Sequence, residues 1–308
     1  MQHEIILHHY EASLFSEKVR LAFGLKGLAW RSVVIAPVMP RPDLMPLTGG
    51  YRRTPVMQMG ADIYCDTQII LRELERRFPM PTLYPGASEG LCWAATMLAD
   101  RGFFQASVAV IFGNLTPADL PAGFVEDRER LSGNRFDFQA MAARGPYARD
   151  QWRAYGDWIE RQLGDGRPFL LGGAPSLADL SMFIEVWFLE NAYRGAPALL
   201  AEFPRLRSWG ARLRAIGHGE RSELASAEAL AIGAAAAPAT EERADPADPN
   251  GLAPGDRVTV APDDYGRIPV GGVVVSSSAQ HVAIRRRDEI AGDVVVHFPR
   301  AGFAVARA

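Results

Sequence analysis

A proline set just ahead of a strand–turn–strand–helix segment constrains this chain more than any other feature. After Pro55 comes a short apolar run, Val56-Met57-Gln58-Met59, then a tight turn at Gly60-Ala61-Asp62 and a second run, Ile63-Tyr64-Cys65. Asp66-Thr67 then opens an amphipathic segment in which Ile70, Leu71, Leu74 and Phe78 fall at helical spacing. A helix start in that position presents unpaired N–H groups and the positive end of the helix dipole, which favour a carboxylate or phosphate. Asp66 also suits a plain capping role, and Pro55 a strand edge. The ordered set of all four features is what favours a ligand site.

The upstream residues supply the rest of a small α/β unit. Residues 3–9 read as a strand with the core run Ile5-Ile6-Leu7. His8 and His9 follow it, but neighbours in a strand face opposite sides, so they make a poor metal pair and read as structural or solvent-facing. Val19, Leu21, Ala22 and Leu25 form a helical stripe that Gly24 and Gly27 weaken or end. Trp30–Ile35 reads as a second strand. Residues 36–50 are dense in proline, which forbids a long helix there.

The pattern Thr54-Pro55-Val56 followed by Asp66-Thr67, with Ser13-Leu14-Phe15-Ser16 and Lys18-Val19-Arg20 at the first helix, resembles the N-terminal domain of cytosolic glutathione transferases, itself thioredoxin-like. The resemblance implies a cis bond before Pro55 and a strand, at Val56, that pairs with the cysteinyl part of glutathione. It implies that Asp66 and Thr67 hold the γ-glutamyl end, that Arg53 (or Arg52) touches the glycyl end, and that Phe15 lies in the motif beside the thiol. Ser13 stands where serine- and zeta-type members place a catalytic serine and omega-type members a cysteine. Tyr10 is a second candidate donor and Ser16 a third. Both cysteines of the dithiol motif are missing, which argues against disulfide chemistry, and Leu14 replaces the common proline. The implied chemistry uses the glutathione thiol: a hydroxyl donor at a helix start lowers its pKa from roughly 8.5 and raises the thiolate fraction.

Beyond the proline-rich Pro79–Pro85 segment the pattern is helical to about residue 232. Ser176 and Asp179 form a capping box ahead of an apolar helix, a structural feature rather than a chemical one. Phe104, Trp187 and Phe188 are candidate pocket aromatics that read better as core. Residues 233–250 are rich in Ala, Pro and acid and read as a linker or disordered tether. Residues 251–308 carry about five short Val-rich alternating runs, a small β-barrel-like unit.

The expected architecture is therefore α/β plus all-α. It comprises a thioredoxin-like domain over 1–80, an all-helical domain over 88–232, a linker over 233–250 and a β domain over 251–308. A net charge of −3 gives no strong pull toward nucleic acid. Cys65 and Cys92 make neither a disulfide framework nor a metal spacing, which fits a reducing cytoplasm. The first residues lack the basic region of a signal peptide, and no stretch suits a membrane span. The expected function is a glutathione-dependent transferase, with glutathione as co-substrate, a small hydrophobic electrophile, no metal and, as the resemblance implies, a homodimer. A glutathione-dependent isomerase and a non-catalytic scaffold are the alternatives.

Overall fold

The computed structural model describes residues 4–308. His3, the first residue of the strand expected over 3–9, lies outside the described residues. Strand β1 (Ile6–His9), helix α1 (Leu14–Lys26) and β2 (Ala29–Val34) form a parallel β–α–β crossover. The one-turn helix α2 (Met45–Thr48) sits in the proline-rich loop. The antiparallel hairpin β3 (Val56–Met59) and β4 (Asp62–Cys65) then leads into α3 (Thr67–Arg77), and β3 pairs with β1. Alternation along the strands sorts the side chains. Leu7, Met57, Met59 and Tyr64 face the cluster built with α1 and α3, whereas Ile6, Val56, Ile63 and Cys65 face the opposite one.

Helix α1 runs through Gly24 and stops at Gly27, which takes the left-handed conformation with φ 61°. Gly24 is not a weak point but a contact: a Cβ there would lie 2.0 Å from the carbonyl oxygen of Gly217. The residue lets the turn after the helical domain approach α1 closely.

The helical domain comprises α4 (Glu89–Leu98), a π-helical turn (Ala99–Phe103), α5 (Phe104–Phe112), α6 (Phe124–Ser132), α7 (Phe138–Ala143), α8 (Gly145–Gln162), α9 (Leu177–Ala192), α10 (Ala196–Leu200) and α11 (Pro204–Arg214). Helix α9 is its centre. Ser176 and Asp179 cap each other there: Ser176 N–H and Oγ–H donate to Asp179 Oδ2 at 2.9 and 2.6 Å. Leu170 N–H and Trp209 Nε1–H donate to its other oxygen, both at 2.8 Å.

The helical pattern does not continue unbroken to residue 232. Strand β5 (Glu220–Glu223) returns to pair in parallel with β2, and α12 (Ser226–Ala235) lies on the first sheet, where Gln58 Nε2–H donates to Ala229 O at 2.8 Å. Residues 236–250 carry no helix, but they are pinned rather than free. Ala239 N–H and Thr240 Oγ1–H donate to Asp62, and Arg243 bridges Ser276 on the sheet.

The remaining strands are β6 (Arg257–Pro262), β7 (Val270–Ser277), β8 (His281–Asp288), β9 (Gly292–Pro299) and β10 (Phe303–Arg307). The last of them pairs with the first, so the appended strands run in the order β10-β6-β7-β8-β9, with β10 at the sheet edge. This unit does not stand apart. β9 adds in parallel to β4, with Asp62 opposite Val295, so one ten-stranded sheet runs β10-β6-β7-β8-β9-β4-β3-β1-β2-β5. Val258, Val260, Val274, Val282 and Val296 of the appended strands share a core with Ile6, Val56 and Ile63. A hydrogen-bonded chain spans the seam: His281 Nε2 to His297 Nδ1 at 3.0 Å, then His297 Nε2 to Asp62 Oδ1 at 3.0 Å. Among the described residues no helix is long and apolar enough to cross a membrane.

Candidate functional site

The two helix starts singled out in the sequence flank the bend before β3. Ser13 is the N-cap of α1 and is buried; Ser16 N–H donates to its Oγ at 3.2 Å. That bond uses a lone pair and leaves the hydroxyl proton free to donate elsewhere, so capping and thiol activation do not compete. Tyr10 is half-buried, and its ring packs against the cluster on the α2 side of the sheet. Ser16 is fully buried and its hydroxyl has no partner among the described residues, so it is not accessible at the surface. The Phe15 ring meets Phe104 of the helical domain at 5.1 Å between centroids, so this pair joins the two domains beside Ser13. Phe104, Trp187 and Phe188 are all half-buried.

The Thr54–Pro55 peptide bond is cis. Val56 lies in register opposite His8 on one side and Cys65 on the other, so its sheet positions are filled. Among the described residues, the backbone groups of Arg53 and Thr54 have no backbone partner. They stand just before β3, whose two sides are filled by β1 and β4. Arg41 shapes the bend from behind. It is buried, and it donates to the Ala36 and Arg52 carbonyl oxygens at 2.8 and 2.7 Å and to Thr54 Oγ1 at 3.0 Å. Desolvation lowers its pKa to about 10, which still leaves it charged at neutral pH.

Asp66 caps α3 with φ 92° and ψ 142°, backbone angles that side-chain-bearing residues rarely adopt. Its carboxylate accepts one hydrogen bond, from Gln68 N–H at 2.9 Å. Burial pushes its pKa up to about 6; Gln68 N–H, Arg53 and Lys18 oppose the rise and Asp100 adds to it. Beside it, Thr67 is buried, and neither its N–H nor its hydroxyl has a hydrogen-bond partner among the described residues. Arg53 is not free: its NH2 donates to Asp264 Oδ1 of the appended unit at 2.6 Å. Arg52 is held by Asp127 of α6.

Several charged residues of this site escaped the sequence reading. Lys18 is fully buried and pairs with Asp100 of the π-helical turn. Glu185 of α9 is buried with neither oxygen hydrogen-bonded among the described residues, and burial pushes its carboxyl well up. A signal for Lys18 was available. The chain has lysine only at positions 18 and 26, and both are buried in ion pairs. His8 and His9 are structural: each is buried, bonded to Gln58 and to Ser32 respectively, and lowered to about 4 by desolvation. Among the described residues no group of three or more His, Cys, Asp or Glu side chains is placed to hold a metal ion.

Comparison with known proteins places this geometry. Residues 7–82 match the model of the glutathione S-transferase N-terminal domain, and residues 105–212 match that of its C-terminal domain. The crystal structure of a GST-like protein from Pseudomonas syringae is 38% identical, covers 99% of both chains and superposes with a TM-score of 0.82. The chain belongs to the glutathione S-transferase family. That match extends over the appended strands as well. Two more distant structures share the transferase fold over 68% of this chain. One is a glutathione S-transferase from Rhodospirillum rubrum F11, with 18% identity, 87% of its own chain covered and a TM-score of 0.53. The other is FzlA from C. crescentus, with 21% identity, 88% covered and a TM-score of 0.51. No curated protein gives a significant match. The appended β unit therefore sits on a transferase framework, and its turns contact that framework at Arg53, Gln68 and Arg101.

Proposed function

We propose that this protein is a glutathione-dependent transferase that activates the thiol of bound glutathione for attack on a small apolar electrophile. The observation that carries the reading is the start of α3. A carboxylate with one donor, a free helix N–H and a free hydroxyl stand side by side, and together they complement the ammonium and carboxylate of an amino-acid head group. With the γ-glutamyl end there, the cysteinyl backbone pairs with Thr54 and the sulfur lies toward Ser13. The thiol releases its proton to solvent, and the Ser13 hydroxyl donates to the resulting thiolate at the positive end of α1. The sulfur then forms a bond to the electrophilic carbon, and the leaving group departs with the electron pair of the broken bond. Phe15 and Phe104 line the apolar side. The reading includes a homodimer in the cytoplasm, as is usual in the family.

Calorimetric titration with glutathione tests the binding half, and a conjugation assay tests the chemical half. Ser13→Ala should lower conjugation by about a hundredfold, the scale of a lost oxyanion-type donor, while changing glutathione affinity only a few-fold. Tyr10→Phe should leave the rate within a few-fold. A reversed pattern would move the donor role to Tyr10. Tight binding without turnover on any electrophile would leave the protein a binding module.

A further inference from the structure

The appended unit touches the transferase framework through two turns. In the turn between β6 and β7, Asp263 accepts from Arg101 NH2 at 2.9 Å and Asp264 accepts from Arg53 NH2 at 2.6 Å. Tyr265 lies under the same arginine, with its ring centre 5.8 Å from the Arg53 guanidinium carbon. In the turn between β9 and β10, Ala301 O accepts from Gln68 Nε2 at 3.2 Å. These contacts fall one residue before Thr54, one residue after Thr67 and one residue after Asp100, so the appended unit meets the chain next to each of these residues.

Asp264 is fixed rather than draped there. Tyr265 N–H donates to the same oxygen that meets Arg53, at 2.7 Å, and Leu131 of the helical domain packs on the next residue, Gly266, closely enough that a Cβ there would lie 2.6 Å from it. The Arg53 fork therefore already holds one carboxylate, supplied by the chain. A second carboxylate at that spot meets a like charge at short range; Asp264 is exposed and Arg53 only partly buried, so solvent screens part of the repulsion but the short distance keeps it unfavourable. A neutral amide meets no such charge. Its carbonyl accepts from the remaining guanidinium N–H groups, and its NH2 donates to Asp264.

We propose that Asp264 sets thiol specificity, selecting a γ-glutamylcysteinyl thiol whose C-terminal end is an uncharged amide over one that ends in a carboxylate. This rests on the glutathione reading above, with the glycyl end at Arg53. Titration calorimetry on the full chain compares glutathione with its C-terminal carboxamide, in wild type, Asp264→Asn and Asp264→Glu. Wild type should bind the carboxamide roughly tenfold more tightly, the scale of one like-charge contact in such a site. Asp264→Asn should bring the two ligands within about twofold by tightening glutathione, and Asp264→Glu should keep the preference. Wild type binding glutathione as tightly as the carboxamide, or Asp264→Asn weakening glutathione, overturns the assignment and leaves the transferase reading intact. Failure of every variant to bind either thiol overturns both.

Discussion

Asp66, the N-cap of α3, and Asp179, in the first turn of α9, have opposite characters. Asp179 at α9 receives four hydrogen bonds, from Leu170 N–H, Ser176 N–H, Ser176 Oγ–H and Trp209 Nε1–H, and its capping residue has ordinary extended backbone angles. Asp66 at α3 receives one, from Gln68 N–H, and its own backbone is held at φ 92°. Burial pushes both carboxyls up. A saturated buried carboxylate has no capacity left and serves the fold. An under-bonded one in a disfavoured conformation carries a cost that a ligand can relieve. Local sequence separates the two only in part: Ser176, three residues before Asp179, supplies two of its donors. The other two come from Leu170 and Trp209, outside the local motif.

The largest effect expected from this contrast is at α9. Asp179→Ala should destabilise the protein by about 3 kcal/mol or more, because three buried N–H donors lose their acceptor at once; urea unfolding measures it. A loss near that of a surface cap would break the comparison. Next comes Asp66→Ala, which should cost only about 1 kcal/mol as a lost cap and should abolish the rise in melting temperature that glutathione gives the wild type. Acidity sharpens the same point. Asp66 must be ionised to meet an ammonium, so glutathione affinity should hold above its pKa of about 6 and fall up to tenfold per unit below it. An affinity flat from pH 7 to 5 would remove Asp66 from the binding step.

A smaller effect belongs to the seam. His281 faces His297, Glu73 and Arg76, and burial, with His297 next, lowers its pKa to about 3. The unfolded chain takes up that proton near 6.5 and the folded one does not. His281 should therefore contribute a drop of about 1–2 kcal/mol between pH 7 and 5, beside the drops that buried His8 and His9 contribute over the same range. His281→Gln should remove its own share of the drop and leave theirs. Asp62, held below the usual carboxylate range by His297 and Thr240 against the pull of burial, adds its own loss only at lower pH.

What the sequence made legible was local. The proline bend, the hairpin, the cap at Asp66 and the Ser176–Asp179 box all depend on residues within a few positions of one another, where turn chemistry and periodicity act directly. The strands of residues 251–308 were legible for the same reason. Their attachment was not, because the pairing of Asp62 with Val295 depends on two distant segments being complementary, and alternation alone does not name a partner strand. The charged part of the site stayed hidden in the same way. Asp100 reaches Lys18, and Asp264 reaches Arg53, across domain boundaries. Among the described residues Arg53 and Thr54 rather than Val56 offer free backbone, because β1 and β4 fill both sides of β3, a matter of sheet order rather than of residue type.

The parallel pairing of β9 with β4 also bears on how the chain comes off the ribosome. The transferase portion is complete long before its last sheet neighbour is made, and until then the outer side of β4 presents bare N–H and C=O groups beside an uncovered patch of valine and isoleucine. A nascent or shortened chain that ends before Gly292 is thus a sticky template for a second copy of itself. Trimming the protein back to its family core is expected to produce aggregates, and a function lost that way would say nothing about what the removed strands do.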